Sequence, residues 1–169
     1  MDHIALREMR EEDLDAVFAM MRDPAAVAMA AFTATDPSDR RAFDAHMAAI
    51  RRAPDNTVRV VTSDGSFVGT IASFPSEGYL EVTYWIERAH WGRGIATRAL
   101  ALLLDEVSTR PIRARVASDN VASRRVLERS GFTPVGTEVS YAPGRAGEID
   151  ETILELRGGR PKSSSFDRD

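Results

Sequence analysis

The 169-residue chain has no cysteine. That excludes disulfides, thiolate metal sites and a covalent intermediate carried on cysteine. Histidine is scarce as well. His3, His46 and His90 lie too far apart to form a local metal cluster, so no metal is expected. Long basic runs are missing and the net charge is −4, so nothing calls for nucleic acid as a partner. No apolar stretch has the length of a membrane span, and the opening MDHIALREMR lacks the apolar segment of a signal peptide. These absences lead us to expect a cytoplasmic protein with no membrane partner. A Gly-x-Ser-x-Gly nucleophile elbow is also absent, which argues against an acyl-enzyme on serine.

What remains is an ordinary globular composition, long enough for one core without staples. We expect a single domain over residues 1–157. The segment 158–169, GGRPKSSSFDRD, is polar and rich in breakers and reads as a disordered tail.

The most informative stretch is LEVTYWIERAHWGRGIATRALA, residues 80–101. Leu80, Val82 and Tyr84 alternate with Glu81, Thr83 and Trp85 at the period of a half-buried strand. Beyond Gly92 and Gly94, Ala96, Leu100, Leu103, Leu104 and Val107 fall on one helix face. A strand that passes through glycines into a helix gathers unpaired N–H groups at the positive end of a helix dipole, a setting suited to phosphate. The alternative is that the two glycines only make a tight turn. The loop is neither an ATPase P-loop, because no Gly-Lys-Ser or Gly-Lys-Thr follows, nor a Gly-x-Gly-x-x-Gly dinucleotide turn.

The flanking chain suggests the sheet around it. A short strand at Ile4 to Met9 precedes a helix with Leu14, Val17, Phe18 and Met21 on its buried face, interrupted at Asp23-Pro24. The small, weakly patterned segment from Ala25 reads as a helical linker, with a pocket wall as the alternative, and a second helix runs to about Arg52. Strands at Thr57 to Thr62 and Phe67 to Phe74 flank an Asp64-Gly65 hairpin turn. An antiparallel meander therefore leads into the glycine loop. After the helix, Ile112 to Ala117 forms a strand expected to lie parallel to the Leu80 strand, because a helix connects them. Parallel neighbours can splay and admit a ligand. Asn120 caps a further helix whose Val121, Ala122, Val126 and Leu127 point inward, Gly131 ends it, and a final hairpin closes the domain at Leu156.

The region from Leu80 to Phe132 resembles the cofactor-binding core of the GCN5-related N-acetyltransferases (GNAT). A Tyr-Trp-Ile strand, a Trp-Gly-x-Gly-x-Ala loop and an Asn-x-x-Ser helix start followed by Gly-Phe are most similar to the ribosomal-protein alanine N-terminal acetyltransferase branch. Gly94 and Ala96 match the small positions of the family loop, while Trp91 stands where that loop usually carries Arg or Gln. The resemblance implies an α+β (α/β/α) fold: a mixed, mostly antiparallel sheet with one parallel pair splayed at the acetyl-CoA site. It implies acetyl-CoA as cosubstrate and a primary amine as acceptor, either a protein N-terminus or a small molecule, with a homodimer as the assembly.

Residue by residue, the resemblance places the pyrophosphate at Trp91, Gly92, Arg93, Gly94, Ile95, Ala96 and Thr97. Glu81 becomes the candidate base, or else the partner of a basic neighbour on a solvated face. A bulge in Val82 to Trp85 is implied, so that the backbone of Tyr84, Trp85 and Ile86 meets the thioester, their aromatic side chains being read as core. The tyrosine that often protonates the leaving thiolate is replaced by Leu127. Ser123 is therefore the candidate acid, or simply a helix cap. Asn120 either bonds the pantetheine arm or caps the helix, and Arg124 either meets the ribose phosphate or is solvated. The missing tyrosine leaves one competing reading, a non-catalytic acyl-CoA sensor.

Overall fold

Alternating β-branched residues and Asp-Gly turn chemistry produce the meander directly. Strands β1 (Ile4–Glu8), β2 (Thr57–Ser63), β3 (Ser66–Ser76) and β4 (Tyr79–Ile86) pair antiparallel in that order. Strand β5 (Ile112–Ala117) follows, and β6 (Thr133–Ala142) and β7 (Gly147–Leu156) complete a seven-stranded sheet ordered β1-β2-β3-β4-β5-β7-β6. The computed structural model describes residues 2–158. The tail expected over 158–169 lies, apart from Gly158, outside the described residues.

β4 and β5 are the parallel pair, and they are in register only at Leu80 with Ile112 and Glu81 with Arg113. Beyond those two pairs the strands part, leaving the outer edge of β4 without a strand partner. The expected bulge in β4 is absent: its register against β3 is unbroken from Tyr79 to Ile86. The register shift falls instead between Val61 and Thr62, where β2 meets β3. Splaying alone uncovers the β4 backbone, so no extra residue is needed there.

Among the described residues five α-helices cover the two faces: α1 (Leu14–Met21), α2 (Pro24–Ala30), α3 (Arg40–Arg52), α4 (Ile95–Glu106) and α5 (Val121–Arg129). On one face Leu100, Leu103 and Leu104 of α4 and Leu127 of α5 pack on Val82, Ile112 and Leu154. Phe132 seals this layer. Gly131 takes the left-handed conformation (φ 95°), and the Phe132 N–H returns to the Leu127 carbonyl at 3.0 Å. With 2% of its surface exposed, Phe132 contributes about 3–5 kcal/mol by the usual cost of truncating such a ring to alanine. On the other face Leu14, Val17 and Met47 cover Val60. No helix among the described residues is long and apolar enough to cross a membrane.

Candidate functional site

A cavity of about 630 Å³ opens where β4 and β5 separate and runs to the N-terminus of α4. Gly94 is the α4 N-cap in the left-handed conformation (φ 74°), and no side chain caps this end. The first intrahelical bond is Arg98 N–H to the Gly94 carbonyl, at 3.2 Å. The N–H groups before it in the first turn have no carbonyl to reach within the helix. A Cβ built on Gly92 or Gly94 would meet nothing within 4 Å, so the glycines serve backbone conformation and leave open space beside these donors. A diphosphate fits that chemistry: uncapped donors, a positive helix end and room.

The loop and strand residues expected to hold acetyl-CoA mostly line this cavity. Trp91, Gly92, Gly94, Ile95, Ala96 and Thr97 border the helix end, and Tyr84, Trp85 and Ile86 border the strand side. Asn120 and Ser123 border the α5 side. Arg93 and Arg124 are not among the lining residues. Arg93 is exposed, and Arg124 lies 3.6 Å from Glu128 one helical turn away. The cavity instead receives Arg125 and Arg129 from α5. The Trp91 indole donates to the Ile86 carbonyl at 2.8 Å, which fixes the ring over the loop.

Glu81 lies on the opposite face of β4 from Val82 and Tyr84, at the point where pairing with β5 ends. It is 9% exposed and accepts a 3.0 Å hydrogen bond from Arg115 Nε. Burial pushes its carboxyl above the ordinary range, against the pull of the Arg115 guanidinium. Arg115 also donates to Glu77 (2.7 Å) and Glu138 (3.0 Å) and lies 4.0 Å from Glu151. Four carboxylates thus surround one guanidinium, so the region is negative and suits a cation. Both readings of Glu81 meet in this geometry: it pairs with a base, yet it is buried and borders the cavity.

On the helix-facing side, the Tyr84 hydroxyl lies 2.8 Å from Ser123 Oγ and 3.2 Å from the Ser123 carbonyl. Asn120 Oδ1 accepts from the Ser123 N–H at 3.2 Å, so Asn120 is the N-cap of α5 while also bordering the cavity. Burial pushes the Tyr84 phenol up to about 12, the Ser123 hydrogen bond pulling the other way. Leu127 is fully buried in the core. Val121 and Ala122, expected inside, are exposed, Val121 with 55% of its surface.

The far wall is the segment read as a helical linker. Asp23 caps α2 by accepting from Ala25 and Ala26 N–H groups, with Pro24 at the first helical position. Ala26, Met29, Ala30 and Phe32 border the cavity. At its end Ala31 takes φ 64° and ψ −53°, and the Phe32 N–H bonds the Ala30 carbonyl at 2.7 Å. This is a γ-turn of the rarer, positive-φ kind, which costs about 1–3 kcal/mol. The β6–β7 connection holds it in place. Gly144 N–H donates to the Ala31 carbonyl at 2.8 Å, and Arg145 donates to the Ala28 carbonyl at 2.5 Å while gripping Asp119.

Comparison with known proteins accords with this arrangement. The family model for the acetyltransferase (GNAT) domain matches residues 3–133. The chain belongs to the GNAT family. Among relatives, a protein of Bacillus subtilis (strain 168) described as the probable N-acetyltransferase YjcK is 37% identical over 82 residues, covering 44% of this chain and 45% of that protein. The chain thus spans about half the length of the curated relative it matches. Mycobacterium smegmatis RimJ, solved in complex with a coenzyme A disulfide, superposes with TM-score 0.76 at 25% identity, covering 92% of this chain and 82% of that one. RimL, the ribosomal L7/L12 alpha-N-protein acetyltransferase solved with coenzyme A, has TM-score 0.77 at 17% identity, covering 91% of this chain and 93% of that one. The chain therefore shares its fold with two proteins solved with coenzyme A.

Sequence reading missed the contacts of five side chains. Arg115 and Glu151 carry no local motif, and strand alternation alone gave no hint that their side chains meet Glu81. The Tyr84 phenol was assigned to the core, although its period-two alternation places it on the face that α5 covers. Met29 and Phe32 sit in a segment too uniform in small residues to show a helix face.

Proposed function

We propose that this protein transfers the acetyl group of acetyl-CoA to a primary amine by direct attack within a ternary complex. The observation that carries the reading is one cavity joining an uncapped helix end to a carboxylate at the mouth of a splayed strand pair. Bound acetyl-CoA supplies an activated acetyl thioester. The uncapped N-terminus of α4 would hold the diphosphate, with Gly92 and Gly94 leaving room for it. The uncovered β4 edge from Val82 to Ile86 offers backbone N–H groups to the thioester oxygen.

An incoming ammonium has no lone pair, so a base must take its proton. Glu81 is that base. Its raised pKa makes it a better acceptor than an ordinary carboxylate, and the surrounding carboxylates favour the arrival of a cation. Ser123, which borders the cavity from α5, would supply the hydroxyl that meets the leaving sulfur. The wall of Ala26, Met29, Ala30 and Phe32 is apolar, so the acceptor places an apolar group beside its amine: the end of a polypeptide or a small amphipathic molecule. A homodimer would form along β6, an edge strand with Val139 and Tyr141 more than half exposed, and sedimentation of a Val139→Lys variant as a monomer would support it.

Calorimetry with acetyl-CoA tests the donor half, and absence of binding at millimolar ligand sinks the assignment. Coenzyme A release across a panel of amines and N-terminal peptides tests the acceptor half. A sensor would bind acetyl-CoA and release nothing with any acceptor.

A further inference from the structure

We propose that Tyr84 is a positioning residue for the leaving sulfur: its phenol holds Ser123 Oγ so that the serine O–H points into the cavity toward a coenzyme A thiolate. The inference rests on the acetyl-transfer reading above and deepens it.

Three hydrogen-bonding atoms define the arrangement. The Ser123 carbonyl only accepts, and the phenol approaches it at 3.2 Å, longer than a good O–H···O bond. Ser123 Oγ lies at 2.8 Å, and either oxygen there can be the donor. With the phenol donating to the carbonyl, the serine proton is spent on the phenol oxygen and none faces the cavity. With the phenol donating to Oγ, the 2.8 Å contact is kept with its direction reversed, and the serine proton is released toward the cavity. An anion arriving at Ser123 selects the second state, because only that state offers it a donor. The pair is thus a two-position switch set by the charge beside it.

Its position is fixed on both sides. Ser123 is in the first turn of α5, its N–H held by Asn120 Oδ1. Asn120 Nδ2 donates in turn to the Met29 carbonyl of the acceptor wall at 3.3 Å. Tyr84 stands on the central strand, and both residues border the same cavity. Two hydroxyls in series polarise one another, so the serine becomes a stronger donor than it is alone.

The magnitudes decide what the pair does. Glu81 takes the first ammonium proton and passes it to solvent; as the acceptor nitrogen then bonds the acetyl carbon, the C–S bond breaks, its electron pair goes to sulfur, and the second nitrogen proton follows through Glu81. A thiol titrates near about 8.5, well below the Tyr84 phenol at about 12, so no proton leaves tyrosine for sulfur. Tyrosine stays neutral throughout. The pair stabilises the thiolate by hydrogen bonding, and solvent protonates it after release.

The test measures the thiol pKa of coenzyme A bound to the protein, followed by thiolate ultraviolet absorbance, in the wild type, Tyr84→Phe, Ser123→Ala and the double variant. The bound thiol should titrate below the free one in wild type and rise by about one unit in each variant, the size of one hydrogen bond to a charged group. The double variant should be no higher than Ser123→Ala. In turnover, Tyr84→Phe should lower kcat about tenfold with both KM values unchanged, and the loss should vanish in the Ser123→Ala background. A bond that merely anchors α5 on β4 would lower the melting temperature and leave the thiol pKa unmoved, and that result overturns the inference alone. Failure of wild type to bind coenzyme A overturns the acetyl-transfer reading along with it.

Discussion

The two ends of the cavity are built differently. At the donor end, one continuous segment supplies the strand, the glycine loop and the helix start, so neighbours in sequence are neighbours in space. At the acceptor end, α2 is a short stretch of small residues whose place is set by the β6–β7 connection, far along the chain. A local site tolerates change elsewhere in the molecule. A site assembled from distant segments does not, and substitutions outside the cavity will reach it.

Four substitutions probe this contrast. The largest effect is expected at the seam between the ends. Glu81→Gln should lower kcat/KM by about 10²–10³ while acetyl-CoA affinity stays unchanged. In wild type the rate should rise with pH through a limb above the ordinary carboxylate range, because Glu81 acts when deprotonated and burial raises its pKa. The variant should lack that limb, and an unchanged pH profile would remove Glu81 from its role.

Next, Gly144→Ala attacks the acceptor wall from outside the cavity. A Cβ there would lie 2.5 Å from the Val27 carbonyl and 2.9 Å from that of Ala31, with backbone on the other side of both contacts. Relief requires moving α2, at a cost of about 1–3 kcal/mol. The acceptor KM should rise about tenfold with acetyl-CoA binding unaltered, and equal loss of both would show that the ends are not separable. The mirror experiment is Gly94→Ala. Its φ of 74° costs a residue with a Cβ about 1–2 kcal/mol, so acetyl-CoA affinity should fall about tenfold by calorimetry while the acceptor KM holds.

The smallest effect on catalysis is expected at Asp13, which supports α1 from below. It accepts two 2.8 Å bonds from Arg7 and one from the Arg10 N–H, and the Arg7 hydrogen bonds hold its carboxyl below the usual range. A lowered folded-state pKa means the stabilisation is fully present above the unfolded value and fades as pH falls through the folded one. Asp13→Asn should therefore cost about 2 kcal/mol at neutral pH and progressively less in strong acid, with both KM values unmoved. Denaturant melts across pH check the sign.

The same contrast explains what could be read from the residues alone. Strand order through β4, the parallel crossover and the caps at Asn120 and Gly131 follow from local periodicity and turn chemistry. The glycine loop followed for the same reason. The role of α2 stayed open between linker and pocket wall, because a run of small residues has no face to read, and its position depends on Gly144 and Arg145. The pairing of Tyr84 with Ser123 crosses 39 positions of sequence, and that of Arg115 with Glu81 crosses 34. No window on the chain contains both partners. The bulge expected in β4 illustrates the converse: β4 stays regular, and its edge is freed by β5 turning away.

The tie between Arg145 and Ala28 closes 117 residues of chain. Synthesis runs from the N-terminus at about 5–20 residues per second, so α2 leaves the ribosome several seconds before the loop that clamps it. The strained turn at Ala31 has nothing to hold it during that interval. A nascent chain stopped after α5 would carry every residue of the glycine loop, Glu81 and Ser123, yet would lack the clamp on its acceptor wall. The last hairpin is thus a completion step, and only a chain translated through Arg145 has its acceptor wall in place.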